Sequence, residues 1–360
     1  MSSENVDVVV VGGGAVGSAA AWQLARRGSQ VVLLEQYEAG HTRGASHGAS
    51  RIFRLSYPDP VHIDLAREAR RHWRELEELT GTDLLTITGG VDHGDHPHLR
   101  LLADGLAATG VPHHWLTPRE AGERWPGIRF DTRALFHPDS GRLHADRSVT
   151  ALQTAAAKSG ALVRHATPVT AIEVLGEDAV LVHTDSGAYR AHRVVAAVNA
   201  WASKLVGGLV PLPPLRVTQE QPAHFAARET EDGWPSFGHL FAEGSAAAAS
   251  FHGGVYGLAT PGEGIKVGFH GVGPETDPDH RDFIPEPGQL AALRYKRQAP
   301  ISCTYTTTPD ANFVLDRRGP VVVATGFSGH GFKFVPAIGR VLADLAVDGT
   351  RPDRRFAFDR

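Results

Sequence analysis

The sequence predicts an α/β protein, in which a Rossmann-like nucleotide-binding unit is interleaved with a second unit built on a mixed sheet. Three observations carry that expectation. Residues 6–11 (VDVVVV) form a β-branched run interrupted only by Asp7 and followed at once by Gly12-Gly13-Gly14-Ala15-Val16-Gly17. Residues 193–199 (RVVAAVN) and 321–325 (VVVAT) repeat that run far along the chain. Stretches at 218–225, 251–258 and 265–269 alternate apolar and polar residues instead. Continuous runs are read as strands buried on both faces of a parallel sheet, alternating ones as strands with one wet face.

The elements follow in order. Residues 18–27 continue the glycine turn as a helix, and 30–34 give a second strand ending in Glu35. The pattern G-x-G-x-x-G therefore stands in a strand–turn–helix setting with an acid about 20 residues on. Gly12 permits the tight turn, Gly14 lets a pyrophosphate approach the backbone, and Gly17 allows close helix–strand packing. The helix start at Ala15 and Val16 offers free N–H groups and a positive dipole end to phosphates. Glu35 can accept hydrogen bonds from a ribose diol. None of this separates FAD from NAD.

Residues 41–54 (HTRGASHGASRIFR) are too polar for a core and lack a helical period. This loop, with Ser46, His47 and Ser50, can lay N–H groups and Arg51 against a cofactor ring. Arg51 and Arg54 bracket the apolar pair Ile52-Phe53, and are read as aimed inward at an anion. Residues 59–79 form an amphipathic helix and 84–92 a strand. Thr117-Pro118-Arg119-Glu120 is a capping box opening a helix to Trp125. A helix at 146–159, strands at 161–165, 169–174 and 180–184, and a closing helix at 332–348 complete the reading. Segments 1–80, 145–215 and 300–360 are assigned to the nucleotide unit, 81–144 and 216–299 to the second.

Composition narrows the classes of function. A chain of 360 residues exceeds one ordinary core. Lys plus Arg number 36 against 40 Asp plus Glu, with no basic block, so no nucleic-acid partner is expected. No apolar run approaches the roughly 20 residues of a membrane span. The polar residues 1–7 lead straight into a strand, leaving no room for a signal peptide. With one cysteine, the expectation is a cytoplasmic protein without disulfides. The 20 histidines lack the spacing of metal ligands, so no metal is expected.

That cysteine, Cys303, stands in the run SCTYT, and residues 326–333 read GFSGHGFK. An isolated cysteine is most often a small apolar core residue. Its company changes that reading. Gly329, His330 and Gly331 lie between a buried strand and the helix begun by Phe332 and Lys333, so their N–H groups and the helix dipole face the gap.

From VVVVGGGAVGSAAAWQLARRG through SHGASRIFR, FHPDSGRLHAD, VNAWASKL and IKVGFH to SCTYTTTPDANFVLD and ATGFSGHGFKF, the chain resembles the monomeric sarcosine oxidase and N-methyltryptophan oxidase family of flavin-dependent amine oxidases. The resemblance implies a D-amino acid oxidase-like fold, FAD as cofactor, and Cys303 as the residue that carries the flavin through a thioether. It implies Arg51 beside the flavin ring, Arg54 and Lys333 gripping a substrate carboxylate, and Lys266 where oxygen is reduced. Tyr256 and His270 would line the substrate pocket, with His270 also among the catalytic residues, and Val169 and Trp201 would touch the cofactor. A small amino acid and oxygen are the implied partners of a monomeric enzyme that yields an imine and hydrogen peroxide. A helix end at 329–331 would stabilise the anion of reduced flavin. The Ala- and Gly-rich stretch 243–264 leaves the substrate open, and a cyclic imino acid oxidase or a biosynthetic tailoring oxidase is the alternative. An NAD-dependent dehydrogenase accounts for the first motif but not for Cys303, Lys266 or the terminal glycine loop.

Overall fold

The computed structural model describes residues 3–227, 231, 233–250, 254–293 and 302–360. The first apolar run becomes the strand Ser3–Val11 at the centre of an eight-stranded sheet. It pairs in parallel with Val31–Leu34 on one side and Gly187–Ala196 on the other, and the latter pairs in parallel with Val321–Thr325. Val8 to Val11 are buried, as expected for a strand covered on both faces. The helices Ala15–Ala25, Ala145–Lys158 and Val335–Val347 pack together and supply much of the core on one face. Small residues set their spacing. A Cβ at Gly339 would lie 2.6 Å from the backbone of Ala19.

A seven-stranded sheet runs in the order Ala223–Phe225, Gly264–Phe269, Val255–Thr260, Ser236–His239, Gly90–His93, Ala134–His137, His114–Leu116. Two expected strands break where the backbone must change sheets. The run 84–92 divides at Gly89, whose φ is +76°, into Leu85–Ile87 and Gly90–His93. Leu85–Ile87 instead joins Gly141–Leu143 and Arg51–Phe53 in a three-stranded sheet. The run 218–225 breaks at Gln221-Pro222, because proline cannot donate to a ladder. Its first half, Arg216–Glu220, pairs with Cys303–Thr307 in a separate two-stranded sheet. The expected strand at 251–258 is Val255–Thr260, and residues 251–253 lie outside the described residues.

Local signals in the chain explain the helix ends. Asp59 caps Pro60–Thr80 by accepting from the N–H of Val61 at 2.9 Å, and Gly81 ends it in the left-handed region. Both halves of the Thr117–Glu120 capping box are present. The strand read at 193–199 stops at Ala196, and the chain turns through the 3₁₀ segment Asn199–Trp201 beside the cofactor cavity described next.

Candidate active site

Two joined cavities follow one another, the larger bordered by the eight-stranded sheet and the smaller by the seven-stranded one. The larger, about 540 Å³, opens over the carboxyl ends of the parallel strands. Gly12, with φ +100°, and Gly14 form its floor, and Ala15 and Val16 begin the helix that faces it. No side chain caps that helix at Gly14, and the Ala15 N–H reaches the Ser46 hydroxyl at 3.0 Å. Gly17 does not border the cavity. Its place is structural, since a Cβ there would sit 1.9 Å from the Gly12 carbonyl oxygen. A Gly17→Ala variant is expected to lose about 1–3 kcal/mol of stability, seen as a lower Tm, and to retain less flavin by absorbance.

Glu35 stands at the far end of the cavity and is 6 % exposed. Burial opposes its charge, but His41 and the N–H groups of Tyr37 and Gly13 outweigh burial and hold its carboxyl below the usual range. Val169 and Trp201 border the same space. His47 does too, and burial and Arg51 push its pKa down to about 4. Five polar atoms of residues in this wall, His47 Nε2, His165 Nδ1, Asn199 Oδ1, Thr304 Oγ1 and Thr306 Oγ1, are buried without a protein partner. Buried polar atoms are nearly always hydrogen-bonded. The wall therefore fits a polar ligand of dinucleotide length.

The smaller cavity, about 290 Å³, continues from the first past Arg51, Cys303, Tyr305, Gly329 and Phe332, which border both. Arg51 donates to the carbonyls of Ala45, His47 and Ser50 and so ties the 41–50 loop to the junction. Ser50 borders neither cavity. Its hydroxyl pairs with Thr260 at 2.6 Å and its carbonyl accepts from Lys266, so it positions the lysine and does not line the cofactor space. Lys333 and His330, read from the chain as cofactor contacts, border only the smaller chamber. The His330 N–H is spent on the Phe327 carbonyl at 3.0 Å, so this group of the 329–331 turn does not face the gap.

Arg54, Tyr256, Lys266, His270 and Lys333 do share the chamber. Lys333 donates to the Tyr57 hydroxyl at 2.9 Å and the His330 carbonyl at 2.7 Å. Burial, with Arg54 nearby, pushes its pKa well below the usual lysine range. Burial and Arg51 do the same to Lys266, and burial, Arg54 and Lys333 bring His270 to about 4. Arg54 is itself countered by Asp92 at 3.7 Å.

Asp92 was not legible in the chain as a site residue. It also accepts from Ser56 at 2.9 Å and pairs with His137 at 3.0 Å. Burial alone would raise its pKa, but His137, Arg54 and Ser56 bring it to about 2. His137, Glu220 and Tyr305 were missed for the same reason: each lies on a strand whose long-range pairing is invisible locally. Tyr57, in the loop before the helix Pro60–Thr80, was missed because what marks it is its contact with Lys333. Among the described residues, no group of three or more His, Cys, Asp or Glu is placed to hold a metal.

The family profile of the DAO group, FAD dependent oxidoreductases, matches residues 7–345. A monomeric sarcosine oxidase of Streptomyces avermitilis is 34 % identical, covering 99 % of this chain and 97 % of its own. Another from Bacillus sp. (strain NS-129) is 32 % identical over 96 % of this chain and 94 % of its own. Among solved structures, the open form of NikD, an amino acid oxidase of nikkomycin biosynthesis, superposes with a TM-score of 0.87 at 28 % identity, covering 99 % of this chain and 98 % of that one.

Proposed function

We propose, because this chain belongs to the monomeric sarcosine oxidase family of FAD dependent oxidoreductases, that it oxidises a small secondary amino acid at a carbon bonded to the amine nitrogen. The observation that carries the reading is the strand Cys303–Thr307, which walls a dinucleotide-sized cavity and a cation-bearing chamber at once. Gly12, Gly14, the helix start at Ala15 and Val16, Glu35, Ser46 and His47 would hold FAD, with Val169, Trp201, Gly329, Gly331 and Phe332 along its length. Held there, FAD would supply the hydride acceptor and a route for the electrons to oxygen, the products being hydrogen peroxide and an imine that hydrolyses. Cys303, which borders both cavities, would carry the flavin through a thioether. Segments 1–80, 145–215 and 300–360 would make up the FAD-binding unit, and 81–144 and 216–299 the substrate unit.

The chain's own groups account for binding. Arg54 and Lys333 take the substrate carboxylate, Tyr57 linking them: its hydroxyl accepts from Lys333, and its ring lies under the Arg54 guanidinium. A guanidinium gains from a planar carboxylate partner in a site closed to water. Tyr256 and His270 bound the space left for the amine. His270 is neutral at ordinary pH, so it adds no charge that would repel an ammonium. The amine must be neutral to react, because its lone pair assists hydride loss. Arg51 fixes positive charge at the junction. Lys266, its pKa depressed, can exchange a proton there with whatever oxygen becomes.

A Lys266→Met variant is expected to be reduced by substrate at close to the wild-type rate, while its reoxidation by oxygen slows about 10²-fold or more. Stopped-flow measurement of the two half-reactions checks this, and unchanged reoxidation overturns the oxygen role. Leu102, Phe237, Leu240 and Leu258 give the chamber apolar room that sarcosine would not fill. That favours an N-methyl amino acid with a larger side chain, or a cyclic imino acid, as the better substrate. A peroxide-coupled screen over both classes tests the whole reading, and no turnover of any member rejects it. We place the enzyme in the cytoplasm as a monomer, in line with its relatives' description as monomeric. No described helix is long and apolar enough to cross a membrane.

A further inference from the structure

The chamber wall holds two acids, and they differ. Asp92 is saturated by Arg54, Ser56 and His137. Glu220 has no ion pair among the described residues. It is 1 % exposed. Its Oε1 accepts from the Thr218 hydroxyl at 2.6 Å and from the Gly273 N–H at 3.1 Å. Its Oε2 is buried with no partner. A buried carboxyl oxygen without a partner is costly, and this one belongs to the wall of the cavity where an amino acid would bind.

Two strands fix its position. In the pair Arg216–Glu220 with Cys303–Thr307, Glu220 lies directly opposite Cys303, and directly opposed residues share a face. Cys303 marks the junction with the cofactor cavity, so Glu220 stands at the reacting end of the chamber. An amino acid presents a carboxylate and an ammonium. Arg54 and Lys333 suit the first, and among the described residues of this wall the unpaired acid Glu220 suits the second.

We propose that Glu220 is the amine site of the chamber: its Oε2 accepts the proton that the substrate ammonium must lose before the C–H bond breaks. The step moves one proton and no electrons, turning ammonium and carboxylate into amine and carboxylic acid. Burial raises the pKa of Glu220 despite the hydrogen bonds from Thr218 and Gly273, which makes its carboxylate a better base than an ordinary glutamate. The titratable and charged groups around it are Tyr256, Cys303 and Tyr305 from the facing strands and Arg216 on its own, with Lys266 and Arg51 in the same wall. Tyr256 is pushed up to about 12 and Tyr305 well above the usual tyrosine range, chiefly by burial, so neither competes for the proton.

This inference rests on the amine-oxidase reading, and the test separates the two. Holoenzyme is reduced anaerobically with sarcosine and with the best substrate of the screen across pH, and titrated with methoxyacetate, which keeps the carboxylate but has no N–H. Glu220→Gln is expected to slow flavin reduction at pH 7 by about tenfold or more, with the rising limb of its profile displaced to higher pH. Methoxyacetate should bind within about twofold of wild type, and Glu220→Asp should recover part of the rate. An unchanged pH profile in Glu220→Gln overturns the proposal, as does an equal loss of affinity for methoxyacetate and amine. A wild type that no amine reduces overturns the amine-oxidase reading instead.

Discussion

A Cys303→Ala variant is expected to leave all of its flavin extractable. After acid precipitation the yellow colour should pass to the supernatant, whereas wild-type colour should stay with the pellet. The fold should survive the change, because the Cys303 sulfur makes only loose contacts, at 3.9 Å and 3.8 Å to the carbonyls of Ala45 and Thr304. Removing one buried heavy atom costs on the order of 1 kcal/mol. The chain has one cysteine, so a second readout is free of background. Unfolded wild type should show no titratable thiol when fully loaded with flavin. A full thiol equivalent in yellow wild type, or colour in its supernatant, defeats the thioether.

The second large effect is expected at the carboxylate grip. Changing Arg54 to Gln or Lys333 to Met should lower kcat/KM by about 30-fold or more, as expected for truncating a buried, hydrogen-bonded charge contact worth 2–5 kcal/mol. The two losses should not add, because Tyr57 couples the groups, receiving the Lys333 ammonium at 2.9 Å while the Arg54 guanidinium lies 5.3 Å from its ring centre. Arg54→Gln also strips Asp92 of a cation, leaving it to Ser56 and His137, and is expected to lower Tm. Pairing it with Asp92→Asn should restore Tm without restoring turnover. Turnover left intact by the doubly neutralised Arg54 and Lys333 variant removes the substrate role.

The two ends of the site were legible to different degrees. Gly12, Gly14 and Glu35 could be read from spacing because the strand–turn–helix that uses them is contiguous. Arg51, Arg54, Cys303 and Lys333 stood out through unusual local company. Asp92, Glu220 and Tyr305 did not, because their meaning comes from pairing across the chain. Glu220 faces Cys303 only once two segments form a sheet that no local period announces. Gly89 and Pro222 gave the missing hints, since each marks a strand changing partners. Ser50 and Lys333 were assigned to the cofactor along with sequence neighbours that border the larger cavity, while their own side chains turn to Thr260 and to Tyr57.

No strand of the seven-stranded sheet contributes a residue to the larger cavity, yet Phe237, Tyr256, Leu258 and Lys266 from it roof the smaller one. Retention of the prosthetic group and choice of what it oxidises are thus written on different pieces of backbone. Diversification, by nature or in the laboratory, can recarve the ceiling at Phe237 or Leu258 while the machinery beneath stays loaded. One loaded platform can in this way serve many amines.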